Sequence, residues 1–113
     1  MTRQQPERAE QRAILDLLKL VKAEVWVLGT VRKRGGWQGS RQTPGMCDIV
    51  AFIPVVSYSS ASILLMIEVK APKGRLSVRQ RAFQLACRRS TASHIVGGVD
   101  AVLAWLRARG HRV

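Results

Sequence analysis

Ile63-Leu64-Leu65-Met66-Ile67-Glu68-Val69-Lys70 is an apolar run rich in β-formers that ends in two charges one residue apart. Side chains alternate across a strand, so Glu68 and Lys70 share one face, while Ile63, Leu65, Ile67 and Val69 share the other. A carboxylate and an ammonium are thereby held side by side at the end of a buried strand. Buried charge is costly, so such a pair has either an ionic partner or a chemical role. On this strand alone both readings stand.

The segment before it bears on the choice. Thr43-Pro44-Gly45-Met46 reads as a turn that delivers Cys47-Asp48 into a second strand, Ile49–Ile53, which Pro54 is expected to end. An Asp at a strand mouth either caps a turn or, with another carboxylate across the sheet, ligates a metal. If the Ser-rich stretch 55–61 makes a hairpin, strands 48–53 and 62–70 become antiparallel neighbours. The start of one then lies beside the end of the other, which brings Asp48 to Glu68.

The remaining elements alternate around this pair. Residues 1–6 are a polar start. From Glu7 to about Lys22 the apolar spacing of Ile14, Leu17, Leu18 and Val21 predicts a helix. Pro6 suits its start, and Glu7 and Glu10 suit the positive end of its dipole. Val25–Leu28 reads as a first strand. After Lys70 comes a basic turn, residues 71–76, and Ser77 is an expected N-cap for a helix reaching about Arg89. Val78, Ala82, Leu85 and Ala86 are its expected buried stripe, with Gln80 on another face near Phe83 and Gln84. Ser93–Val96 is a short strand, Gly97-Gly98 a break, and Val99, Val102, Leu103 and Leu106 mark a last helix. His94 is expected to pack at a strand edge, and His111 lies in a basic tail. No repeat or linker divides the chain, so residues 1–113 are expected to form one domain.

Charge is the compositional outlier. Nineteen Lys and Arg against seven Asp and Glu give a net charge of +12. A surface this basic attracts polyanions, of which nucleic acid is the commonest. Arg32-Lys33-Arg34-Gly35-Gly36-Trp37-Gln38-Gly39-Ser40-Arg41 is basic, rich in Gly and carries one aromatic. Its cations suit a phosphate backbone. Trp37 either stacks on a base or packs onto the domain. No phosphate loop of the G-x-x-x-x-G-K-[ST] type occurs, so nucleotide hydrolysis has no support. The longest apolar runs fall short of a membrane span, and no secretion signal opens the chain. Cys47 and Cys87 sit in no metal-ligand spacing, and both are expected to be reduced thiols of a cytoplasmic protein.

Asp48, Glu68 and Lys70 would then meet at one end of a small sheet. Two close carboxylates repel unless a cation lies between them. Magnesium accepts a few protein oxygens and keeps several waters, so two carboxylates and a backbone carbonyl make a plausible shell. Such an ion polarises a phosphoryl oxygen and lowers the pKa of bound water. Lys70 would hold that water or neutralise charge on the phosphorus centre.

Gly45-Met46-Cys47-Asp48, then Ile67-Glu68-Val69-Lys70, then Gly74-Arg75-Leu76-Ser77 followed by Gln80, resembles the PD-(D/E)-x-K nuclease superfamily, and within it the virus-type replication-repair nuclease (VRR-NUC) domain. The resemblance runs from Glu7 to the last helix. It implies an α/β fold with a restriction-endonuclease-like core, a central mixed β-sheet flanked by α-helices. It implies cleavage of DNA, often branched, with Mg2+ or Mn2+. By position, Asp48 and Glu68 would be metal ligands and Val69 would offer its carbonyl. Lys70 would be the catalytic lysine, and Gln80 would touch the active site or DNA. Glu7 would complete the metal shell through water, with Glu10 as the alternative one turn on. Arg32, Lys33, Arg34, Trp37, Arg41, Lys73, Arg75 and Arg79 are the expected nucleic-acid contacts. Where the family pattern has proline before the Asp, this chain has Cys47. Stand-alone domains of this size suit homodimers, which present two sites to two strands. The rival reading is a basic nucleic-acid-binding module without chemistry, in which Glu68 and Lys70 are a plain ion pair. RNA in place of DNA would use the same site.

Overall fold

A computed structural model describes residues 4–28 and 46–113. The elements run α1 (Gln4–Leu20), β1 (Glu24–Val27), β2 (Ile49–Val55), β3 (Tyr58–Val69), α2 (Val78–Arg88), β4 (Ser93–Gly97) and α3 (Val99–Ala108). One mixed sheet of order β1-β2-β3-β4 holds them together. The β1–β2 and β2–β3 pairs are antiparallel, and β3–β4 is parallel. A parallel neighbour needs a crossover, and α2 supplies it.

The apolar run of β3 packs as its alternation predicts. Leu65, Ile67 and Val69 are buried, as are Ile49, Ala51 and Ile53 of β2. These side chains meet Ile14, Leu17 and Leu18 of α1 and Val102 and Leu106 of α3, in one cluster that also takes Ile95. The outer face of the sheet carries α2 at its β4 end, where the Phe83 ring stands edge-on to His94 at 5.5 Å. His94 thus packs on the edge strand, as expected. Towards β1 the same face shows exposed Trp26, Phe52 and Leu64.

Four expectations need correction. First, α1 begins at Gln4, so Pro6 lies inside its first turn, and it ends at Leu20 rather than Lys22. Lys22 has a positive φ of 61°. The Lys22 N–H reaches the Lys19 carbonyl at 3.0 Å, and the Ala23 N–H reaches that of Leu18 at 3.1 Å. This pair of bonds closes a Schellman motif with lysine in the left-handed position that glycine usually fills. Second, Pro54 does not end β2, which continues to Val55. β1 pairs with β2 only as far as Phe52, so the missing N–H of Pro54 interrupts no ladder there, and the register shifts between Pro54 and Val55 instead. Third, the loop foreseen over 55–61 is mostly strand: β3 starts at Tyr58. Fourth, α2 docks by the opposite face. Val78 is 85% exposed and Leu85 48%, Ala82 and Ala86 are also exposed, and Gln80, Phe83, Gln84 and Cys87 turn inward.

Candidate active site

The hairpin brings the two acids together through its register. Ile49 stands opposite Ile67, so Asp48, one residue before β2, comes beside Glu68. The backbone of Asp48 continues the sheet on both sides. Its N–H donates to the Ile67 carbonyl at 2.9 Å, and its carbonyl accepts the Leu28 N–H at 2.7 Å. Its carboxylate turns across to β3, where Oδ2 accepts the Val69 N–H at 2.8 Å. The side chain is fixed by the strand that carries its partner acid.

Glu68 is the one charged residue buried among those described, at 3% exposed. Its pKa is pushed up to about 8, first by burial, then by a hydrogen bond to Asp48 and by the Asp48 charge. Lys70 works in the opposite direction, and Glu7 adds a further upward push. The Glu68 carboxyl therefore keeps its proton near neutral pH unless a cation replaces it. The Cys47 thiol beside them is pushed up to about 11 by burial and then by the charges of Glu68 and Asp48. It is fully buried, and in the place where the family pattern has proline it acts as a small neutral filler.

Gln80 ties α2 to this site. Its Oε1 accepts the Ser77 N–H at 2.9 Å and its backbone N–H donates to the Ser77 hydroxyl at 3.1 Å, a complete capping box. That bond fixes which end of the amide faces the sheet, and Nε2 donates to Glu68 Oε2 at 3.0 Å. A glutamate at 80 would keep the cap but set a third carboxylate against Glu68. Past β3, the Lys70 N–H donates to the Gly97 carbonyl at 2.9 Å. A Cβ on Gly74 would lie 3.2 Å from Lys70 Cδ and 3.1 Å from the Ala71 carbonyl, so glycine lets the turn close on the lysine stem. A cleft of about 370 Å³ opens beside Lys70, walled by Pro72, Gly74, Gly98 and Asp100.

Of the residues expected in the site, Asp48, Glu68, Val69 and Gln80 are joined by direct hydrogen bonds, and Lys70 acts on Glu68 through its charge. Glu7 acts on Glu68 only through its charge. Among the described residues no three His, Cys, Asp or Glu side chains gather as a metal cluster. Glu10 is engaged elsewhere, since its Oε1 accepts the Val99 N–H at 2.8 Å, at the start of α3. No local signal in the sequence links residues 89 positions apart. The bond of Gln80 to the Ser77 backbone, by contrast, was legible in the Ser-x-x-Gln spacing. Lys73, Arg75 and Arg79 are exposed on the turn and on α2. Arg32, Lys33, Arg34, Trp37 and Arg41, with Gly45 of the motif, lie outside the described residues.

No helix among the described residues is long and apolar enough to cross a membrane. Neither the curated proteins nor the solved structures gave a match. A family model does match: the VRR-NUC domain, over residues 36–104. That span covers more than half of the chain and includes Asp48, Glu68, Lys70 and Gln80, and the sheet and helices have the α/β arrangement of a restriction-endonuclease-like core. The chain therefore belongs to the VRR-NUC nuclease family.

Proposed function

We propose that this protein is a Mg2+- or Mn2+-dependent DNA endonuclease that hydrolyses phosphodiester bonds in branched DNA, such as four-way junctions or flaps. The observation that carries the reading is the Asp48–Glu68 pair. One carboxyl is buried, both are held by N–H donors, and their charges oppose each other until a proton or a cation intervenes. That chemistry fits a divalent cation held by Asp48, Glu68 and the Val69 carbonyl, with Glu7 reaching it through water. Such an ion would polarise a phosphoryl oxygen and acidify water. Val69 N–H and Gln80 Nε2 each hold one oxygen of the two carboxylates, which lowers the reorganisation needed at reaction. Lys70 orients the attacking water and offsets negative charge on the phosphorus centre. Branched DNA is the form to which the family resemblance points, and a homodimer would set two such sites on two strands.

The test is incubation of the protein with four-way junction, flap and linear duplex DNA, in Mg2+, in Mn2+ and in EDTA. Cleavage is expected in metal only, and preferentially on the branched forms. Lys70→Ala should lower turnover about 10²–10³-fold, the range for removing one charge-stabilising donor. Product formation in EDTA equal to that in metal would reject the metal-dependent mechanism. Binding with no cleavage under any condition would leave the rival reading, a basic module without chemistry.

A further inference from the structure

Between Glu68 and Asp100 the chain has seven Lys and Arg and no acid. We propose that the outward face of α2 in this stretch is the seat of a duplex arm of the substrate, with the helix lying in the major groove. The inference rests on the reading of nucleic acid as the substrate.

At 100° per residue, Val78, Ala82 and Leu85 form a ridge along the crest of α2. Arg79 lies on one flank, and Arg81 and Arg88 lie on the other; all six are exposed. The docked face, Gln80, Phe83, Gln84 and Cys87, is the one turned to the sheet. The ridge is narrow and apolar, and alanine at 82 and 86 lets another surface approach the backbone closely. A helix is about 10 Å across with its side chains, and a B-form major groove is about 12 Å wide. Cations on both flanks of a helix of that width reach the phosphates of both strands, whereas a single strand would engage one flank. Arg81 and Leu85 also wall a groove of about 560 Å³ with Arg75 and Leu76, which continues the cationic surface onto the turn after Lys70. The first turn of α2 is bonded to Glu68 through Gln80, so a duplex on this helix leaves the catalytic pair at the helix N-terminus. The arginines that flank the ridge, on an element with no acid, give this face electrostatic complementarity to a phosphate-lined groove.

Binding is measured by fluorescence anisotropy in EDTA, so that no cleavage is needed and the result is independent of the nuclease chemistry. Wild type should bind a duplex of about 20 base pairs, roughly two helical turns, more tightly than a single strand of equal length. The triple variant Arg79→Gln/Arg81→Gln/Arg88→Gln should bind duplex at least about tenfold more weakly, and its slope of log K against log salt should be shallower by about 3, at roughly 0.9 per lost phosphate contact. Val78→Glu puts an acid on the crest and in the first turn of α2, where the helix dipole favours it. Its melting temperature should hold or rise while duplex binding weakens several-fold. Unchanged slope and affinity in the triple variant would overturn the proposal, as would equal weakening of single-strand and duplex binding. Absence of metal-dependent cleavage by wild type, with these binding results intact, would reject the nuclease mechanism and leave the seat in place.

Discussion

Glu68 carries a consequence that can be measured without a substrate. Its folded pKa, about 8, lies above the ordinary carboxylate value because burial and Asp48 disfavour its charge. The folded protein therefore holds more protons than the unfolded chain between about pH 4.5 and 8, and stability falls as pH rises through that window. In metal-free buffer the melting temperature should drop from about pH 5 to about pH 8.5. Glu68→Gln, which cannot ionise, should flatten the profile and melt above wild type at the alkaline end. Added Mg2+ should stabilise wild type more at that end than at about pH 6, since fewer protons then compete for the pair. A wild-type profile as flat as that of the variant would show that Glu68 ionises normally. At this scale much of the site was legible. Alternation placed Glu68 and Lys70 together, and a hairpin register placed Asp48 beside them. The size of the Glu68 shift was not legible, because it depends on burial, which arrives from elsewhere in the fold.

At the scale of elements, α2 shows where sequence patterning fails. It carries two faces with apolar content, and the purer one, Val78-Ala82-Leu85-Ala86, faces outward. The docked face wins because it has the larger ring, Phe83 against His94, and because Gln80 must reach Glu68 to satisfy its buried oxygen. Periodicity counts apolar positions and cannot weigh an amide bonded to a carboxylate across the interface. Phe83→Ala should thus cost about 2 kcal/mol, less than for a fully buried ring because Phe83 is partly exposed. Leu85→Ala, although it deletes an apolar side chain from the stripe expected to be buried, should change stability by no more than about 0.5 kcal/mol. Urea unfolding of both variants decides the matter; a larger loss for Leu85→Ala would place the docking face on the wrong side. The strands were read more faithfully, since their alternation has a single solution. Pro54 misled only because a proline is harmless where no second neighbour pairs, and pairing is a property of the sheet.

The whole molecule depends on a closure that no local pattern encodes. α3 opens at Gly98, which has no side chain to cap it, and the cap comes from Glu10 of α1, whose Oε1 takes the Val99 N–H. Glycine at 98 leaves room for that cap, since a Cβ there would overlap the Glu10 carboxylate and turn it aside, while its φ of −107° is open to any residue. One residue earlier, the Gly97 carbonyl accepts the Lys70 N–H. The first helix, the last helix and the end of β3 that leads into Lys70 are thereby joined through two adjacent glycines. Glu10→Ala should cost about 1 kcal/mol, the usual value of a lost N-cap acceptor. Gly98→Ala should cost a similar amount, because the new methyl turns the carboxylate aside and leaves the Val99 N–H without its acceptor. If the two residues are coupled as the contact requires, the double variant cannot lose the same bond twice. Its destabilisation should fall short of the sum of the single losses by about 1 kcal/mol, the scale expected for residues in direct contact. Additive losses would mean that Gly98 is needed for some reason other than Glu10.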